Sequence, residues 1–191
     1  AIVRITATDT TPGYAVNEYL NGAGGYAYVG SEGSVGGQLF IGSIASATIV
    51  GNTSATPIQF ATNNNVRAII DSSGNVLVTS PASLGYGTGA GGTVTQATNK
   101  GTGVTLNKPT GKITTNSAAL ASGASINFTL NNSLISVTEM FVVVVTGGSS
   151  YTVLPHFVSG GAASIRLTNI SGSSLSEAVG INFAIIKGAT S

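Results

Sequence analysis

Apolar and polar residues alternate along this chain over short stretches, and the period is two. Ala124, Ile126, Phe128 and Leu130 alternate with Ser125, Asn127 and Thr129, and Ala163, Ile165 and Leu167 alternate with Ser164, Arg166 and Thr168. That is the pattern of strands with one buried face. Met140 to Val145 is apolar at every position, which predicts a central strand covered on both sides. Tyr151 to Val158, Val179 to Lys187, Val104 to Leu106 and Lys112 to Thr114 complete a set of six or seven short strands. Their spacing of roughly ten residues predicts a β-sandwich or jelly-roll-like domain. No helical period of useful length occurs, so the fold class expected is all-β.

The first half follows another pattern. Between Asn21 and Ser43 lie eight glycines, with only brief strand-like pieces at Ala27 to Val29 and Gln38 to Ile41. So much glycine hides little side-chain area within one chain and loses more backbone entropy on folding. Sharing the burial among three intertwined copies answers both problems, so this region reads as a Gly-rich, short-strand shaft of a homotrimer. Tyr14, Tyr19, Tyr26, Tyr28 and Phe40 argue against a disordered linker. A hairpin follows: Val66 to Ile70 and Val76 to Val78 flank Asp71-Ser72-Ser73-Gly74-Asn75, with Thr56 to Thr62 pairing nearby. Pro81 and its small polar neighbours interrupt the pattern, which sets the expected domains at 1–84 and 85–191.

Composition narrows the chemistry. Charged residues are 7% of the 191, against about a quarter in an ordinary domain, and the net charge is +1. No strong field exists to hold a phosphate backbone, so no nucleic-acid partner is expected. The absence of Cys removes disulfides, thiolate metal sites and thiol nucleophiles, and a single His leaves little for zinc or Ser/His catalysis. The longest apolar run, Met140 to Val145, falls far short of the ~20 residues of a spanning helix, so no membrane insertion is expected. The chain opens on Ala1 rather than Met, as a trimmed product or a fragment would.

Two stretches resemble bacteriophage tail fibre proteins. Pro57 to Val76, reading PIQFATNNNVRAIIDSSGNV, is similar to a segment that recurs in phage fibres and tailspikes. The second runs from Leu84 to Gln96 (LGYGTGAGGTVTQ) through Gly103 to Thr114 (GVTLNKPTGKIT) and ends at Ile181 to Lys187 (INFAIIK). It resembles a C-terminal module at the ends of phage virion proteins; residues 1–50 carry the least of the likeness. The resemblance implies a non-enzymatic virion structural protein, a trimeric tail fibre with an all-β tip. Its partners would be copies of itself, other virion proteins and a host-surface glycan. A capsid decoration or head-fibre protein is the alternative, and a glycan-depolymerising tailspike a third.

Few motifs compete with that reading. Gly87 to Gly92 satisfies G-x-G-x-x-G, but a strand former follows and Lys112 stands near the place of the needed acid, so no dinucleotide cofactor is expected. The acids Asp9, Glu18, Glu32, Asp71, Glu139 and Glu177 are dispersed, whereas a glycosidase needs two carboxylates on one groove. His156 reads as a hydrogen-bonded structural residue, although one His per protomer on a threefold axis would suffice for a metal. The four early tyrosines read as packing, with sugar stacking as the other use. Receptor contact is expected in the loops 146–150 and 159–161, which puts Ser149, Ser150, Tyr151, His156 and Ser159 forward as contact residues.

Overall fold

A computed structural model describes residues 13–20, 26–148 and 150–188. Among them there is no helix, and the chain is all-β. It divides into two compact units, Ala1–Leu84 and Gly85–Ser191.

Unit 1 holds two antiparallel three-stranded sheets. The first orders β1 (Ala15–Leu20), β2 (Tyr26–Ser31) and β3 (Thr48–Asn52) side by side; the second orders β4 (Ile58–Thr62), β5 (Asn65–Ile70) and β6 (Val76–Val78). β4 turns into β5 through Asn63 and Asn64, both in the left-handed region at φ 49° and 58°, as a two-residue I′ turn requires. β5 turns into β6 around Asp71, whose Oδ1 accepts from the amides of Ser73 and Asn75 at 2.9 Å each. Gly74, at φ 85°, completes that turn. The side chain and amide of Asn75, with the amides of Ser73 and Gly74, hold the Asp71 carboxyl below its ordinary range.

Strands β1 and β3 fall where the sequence pattern shows none, while Gln38 to Ile41, expected as a strand, is a run of bends. The physical reason is Glu32. Its buried carboxylate accepts from the amides of Gly33 (3.0 Å) and Leu39 (3.3 Å) and from the Ser43 hydroxyl, so residues 33–43 wrap around it. Phe40 then packs on Gly51, where a Cβ would lie 2.8 Å from its ring.

Unit 2 is a two-layer sandwich of eight strands. One sheet orders β12 (Tyr151–Ser159), β13 (Ala162–Asn169), β10 (Ser125–Asn131) and β8 (Val104–Thr105). The other orders β11 (Met140–Gly147), β14 (Gly180–Ile186), β9 (Thr110–Thr114) and β7 (Thr93–Thr95). Pairing is antiparallel except at one edge of each sheet, where β8 joins β10 and β7 joins β9 in parallel. The alternation read from sequence places Phe128, Leu130, Ile165, Leu167, Ile181 and Phe183 in one core between the sheets. Phe141 and Phe183 meet there with centroids 5.8 Å apart. Gly87 to Gly92 leads into strand β7 rather than a helix.

The expectation for Met140 to Val145 is overturned. β11 is an edge strand, and only its inward set packs on the core; Met140, Val142 and Val144 face outward and exposed. Four consecutive valines cannot reveal which face is covered, because the period-two signal vanishes when both faces are apolar.

Buried polar groups close the ends of the sandwich. Asn169 Nδ2 donates to the carbonyls of Leu120 and Ser173 at 2.8 Å each, and its Oδ1 accepts from the Ser171 amide at 2.9 Å. Lys100 is buried and donates to the carbonyls of Asn116 and Glu177 at 2.6 Å each. Burial lowers its pKa, with the Glu177 charge opposing.

Candidate functional site

The residues put forward from sequence do not gather in one place. Ser149 lies outside the described residues. Ser150 is half-buried, and its carbonyl accepts from the Ile170 amide at 2.8 Å. Tyr151 is buried in the sandwich core, so it is not a surface contact; burial and then the Glu177 charge push its hydroxyl pKa up. Ser159 is half-buried at the β12–β13 turn. Tyr151 and Ser159 begin and end the nine-residue β12, so the two loops stand roughly 25 Å apart at ordinary strand rise. Their separation excludes a single small-ligand site made from both.

His156 is the exception, and a bulge explains it. Leu154 faces outward opposite Arg166 and Pro155 stands opposite Ile165, but the next pair is Phe157 with Ser164, leaving His156 as the extra residue. A bulge re-aims the side chains around it. Regular alternation after Leu154 would turn Phe157 inward; the extra residue turns it out, opposite outward-facing Ser164.

That bulge completes a surface on the outer face of β10, β13 and β12. Asn127, Arg166 and Leu154 form one rung across the three strands, and Ser125, Thr168 and Thr152 form the next. Arg166 Nε donates to Asn127 Oδ1 at 3.1 Å, and its Nη2 lies 3.3 Å from His156 Nε2. Guanidinium only donates, so Nε2 accepts here and is not directed at a metal. Ser125 and Thr168 share a hydroxyl contact of 2.7 Å. Beside these polar groups Leu154 is 61% and Phe157 65% exposed.

Apolar faces next to a guanidinium, an amide and hydroxyls suit a polyhydroxylated ring, which offers a C–H face and many acceptors. One positive charge stands on these three strands and no acid, so a carboxylate-bearing sugar is favoured over a cationic ligand. Asn127 and Arg166 went unnamed as candidates because each reads as the outward half of a strand. Their meeting depends on the β10–β13 pairing, which no local pattern states.

The carboxylates are occupied elsewhere. Glu18 accepts from the Tyr28 hydroxyl at 2.9 Å, a bond that holds that phenol above its ordinary pKa. Glu139 pairs with Lys187 at 2.9 Å, which with Ser136 holds its carboxyl low. Among the described residues no cluster of three or more His or acid side chains could hold a metal ion.

Unit 1 contains an open groove of about 460 Å³, lined by Tyr19, Tyr26, Val29, Val50, Asn52 and Gln59 among others. Tyr26 and Tyr28 stack with centroids 6.5 Å apart, and Tyr28 meets Phe40 edge-on at 6.1 Å. These rings pack within one chain.

No family model matches the chain, and no curated protein or solved structure is detectably similar to it.

Proposed function

We propose that this protein is a non-enzymatic structural component of a bacteriophage virion, a homotrimeric tail fibre subunit. Its C-terminal sandwich meets a host-surface glycan through the Arg166 face. The sequence resemblance to phage fibres supplies the biological setting, and one observation carries the assembly. Among the described residues of unit 1, Ile49 is the one large apolar side chain that is buried, whereas Ile41, Ile44, Phe60 and Val76 are all exposed. Two three-stranded sheets with that much bare apolar surface need neighbours to cover them. Copies of the same chain are always at hand, and closure among them also protects the sheet edges.

Light scattering on the purified full chain at micromolar concentration tests the assembly: the expected mass is three times the 18.8 kDa protomer. A stable, folded monomer ends the fibre reading. For the glycan, cell binding and glycan-array binding are expected to fall together in Arg166→Ala and Phe157→Ala while the trimer survives. Unchanged binding in both removes the face from consideration. Gold labelling of intact particles separates the tail from the capsid.

A further inference from the structure

Four strand edges bound the sandwich, and three of them are blunted. β8 has two residues and β7 three, while β12 carries Pro155 and the bulge at His156. Short edges, proline and bulges are the devices that keep an edge from pairing. β11 has none of them over most of its length. It runs eight residues without charge or proline, its register is regular from Met140 to Val145, and among the described residues no strand pairs with its outer edge.

Its outward side chains Met140, Val142 and Val144 are 58, 49 and 53% exposed. The register sets Ile186 beside Met140 and Ala184 beside Val142, so the apolar surface continues onto β14. It stops there: Asn182 stands beside Val144, and across it on β9 comes Lys112, with Thr110 beside Ala184. The result is a narrow apolar strip, about 10 Å wide and 14 Å tall at ordinary strand spacing and rise.

Such a strip is too small to hold a free partner. Its projected area is on the order of 150 Å², against about 800 Å² per partner in a stable interface. A partner already tethered by other contacts faces no such demand, because tethering raises its effective concentration to about the millimolar range. The trimer proposed above, on which this inference rests, supplies that tether through unit 1. Threefold symmetry brings identical residues to the same height around an axis, and a strip two strands wide with polar flanks matches what an axis covers. The geometry points to Met140, Val142 and Val144 as the axial contact of unit 2, packed against the same strip of two other copies. The Arg166 face lies on the opposite sheet and so looks outward, free for a ligand.

The chain has no cysteine, which makes the test clean. Val142→Cys and Val144→Cys are made singly in the full chain, with Thr129→Cys on the outer face of the other sheet as control. Each is treated with a mild oxidant and, in parallel, with a short bismaleimide. Three thiols around one axis leave one unpaired, so up to about two-thirds of chains should run as covalent dimers at one or both strip positions, since disulfides need Cα atoms within roughly 7 Å. The control should stay at background. A Val142→Lys, Val144→Lys double variant should lower the melting temperature of the trimer by more than about 5 °C, whereas on a free strand surface it would be nearly neutral. A wild-type trimer that cross-links at neither strip position, or equally at Thr129→Cys, overturns the axial strip and leaves the trimer standing. So does an unchanged melting temperature in the lysine variant. A monomeric wild type overturns both.

Discussion

The two units use the same vocabulary of short strands and tight turns, and they end in different places. Unit 2 stacks two four-stranded sheets and closes a core of fifteen buried apolar residues between them. Unit 1 has as many sheets, three-stranded, and among its described residues buries Ile49 alone of the large apolar side chains. Strand content is therefore no measure of self-sufficiency. What separates the units is a second layer for each sheet to bury its face against. The polar interiors differ in the same sense: unit 2 pins its loops with Asn169 and Lys100 at the ends of a finished core, whereas unit 1 winds a loop around Glu32.

The sharpest way to break this comparison is to cut a large side chain from each unit. Leu167 is fully buried within the core, and Leu167→Ala should cost about 3 to 4 kcal/mol. Its denaturation midpoint should not move with protein concentration. Ile49→Ala should cost less, about 1 to 2 kcal/mol, because few intramolecular neighbours are lost. Its midpoint should rise as concentration rises, since the missing cover comes from other copies. Denaturant titrations at two concentrations, followed by probes in each unit, read both numbers. Equal costs with no concentration dependence would make unit 1 a self-contained domain.

Next in size is Lys100. Lys100→Met keeps the stem and removes the donors that serve Asn116 and Glu177, leaving two carbonyls short at the end of the sandwich. A loss of about 2 to 3 kcal/mol is expected, against near zero for Lys108→Met at an exposed site. A neutral Lys100→Met would show that water satisfies those carbonyls, and that this end of unit 2 is as open as unit 1.

These residues also mark how far the sequence could be read. Alternation in β10 and β13 named the core of unit 2, because a half-buried strand writes its orientation into every second residue. Asp71, Gly74 and the flanking Val and Ile runs named the β5–β6 hairpin for an equally local reason. β1 was illegible: Ala15-Val16-Asn17-Glu18-Tyr19-Leu20 does not alternate, and β2 organises it by pairing. Residues 38–41 have strand-forming side chains, but a carboxylate at Glu32 and positive-φ glycines at 37 and 42 override that propensity. The candidate site failed for a third reason. Whether Phe157 is buried or exposed turns on one extra residue in β12, and Arg166 meets Asn127 only through pairing between strands distant in sequence.

A smaller effect is expected at the turn of unit 1. Asp71→Ala removes an acceptor that the Ser73 and Asn75 amides and the Asn75 side chain share. About 1 kcal/mol should be lost from the β4–β6 sheet, seen as faster amide exchange in residues 65–78, with residues 125–169 unchanged. Faster exchange in both regions would show that the units unfold as one.

The smallest effect is set by acid, and its sign follows from the hydrogen bonds. Ser43, with the amides of Gly33, Leu39 and Gln38, holds the Glu32 carboxyl below its ordinary value of 4.5. In the unfolded chain that group takes up its proton near 4.5, while in the folded loop it stays ionised to lower pH. Its contribution is therefore complete above about 4.5 and fades as pH falls through the depressed folded value. Glu139 in unit 2 is depressed as well, by Lys187 and Ser136, but it ties a terminal segment to the rim of a sandwich that has its own core. Lowering the pH from 6 to 3 should consequently raise amide exchange, corrected for its intrinsic pH dependence, in residues 33–46 before residues 162–169. Glu32→Gln should show the faster exchange at pH 6 already and change little on acidification. If the Glu32→Gln loop remained as protected as wild type at pH 6, the wrapped carboxylate would not be what organises residues 33–43. The bends there would then have to be attributed to Gly37 and Gly42 alone, and the contrast between a charge-wound loop in unit 1 and an apolar core in unit 2 would lose its electrostatic half.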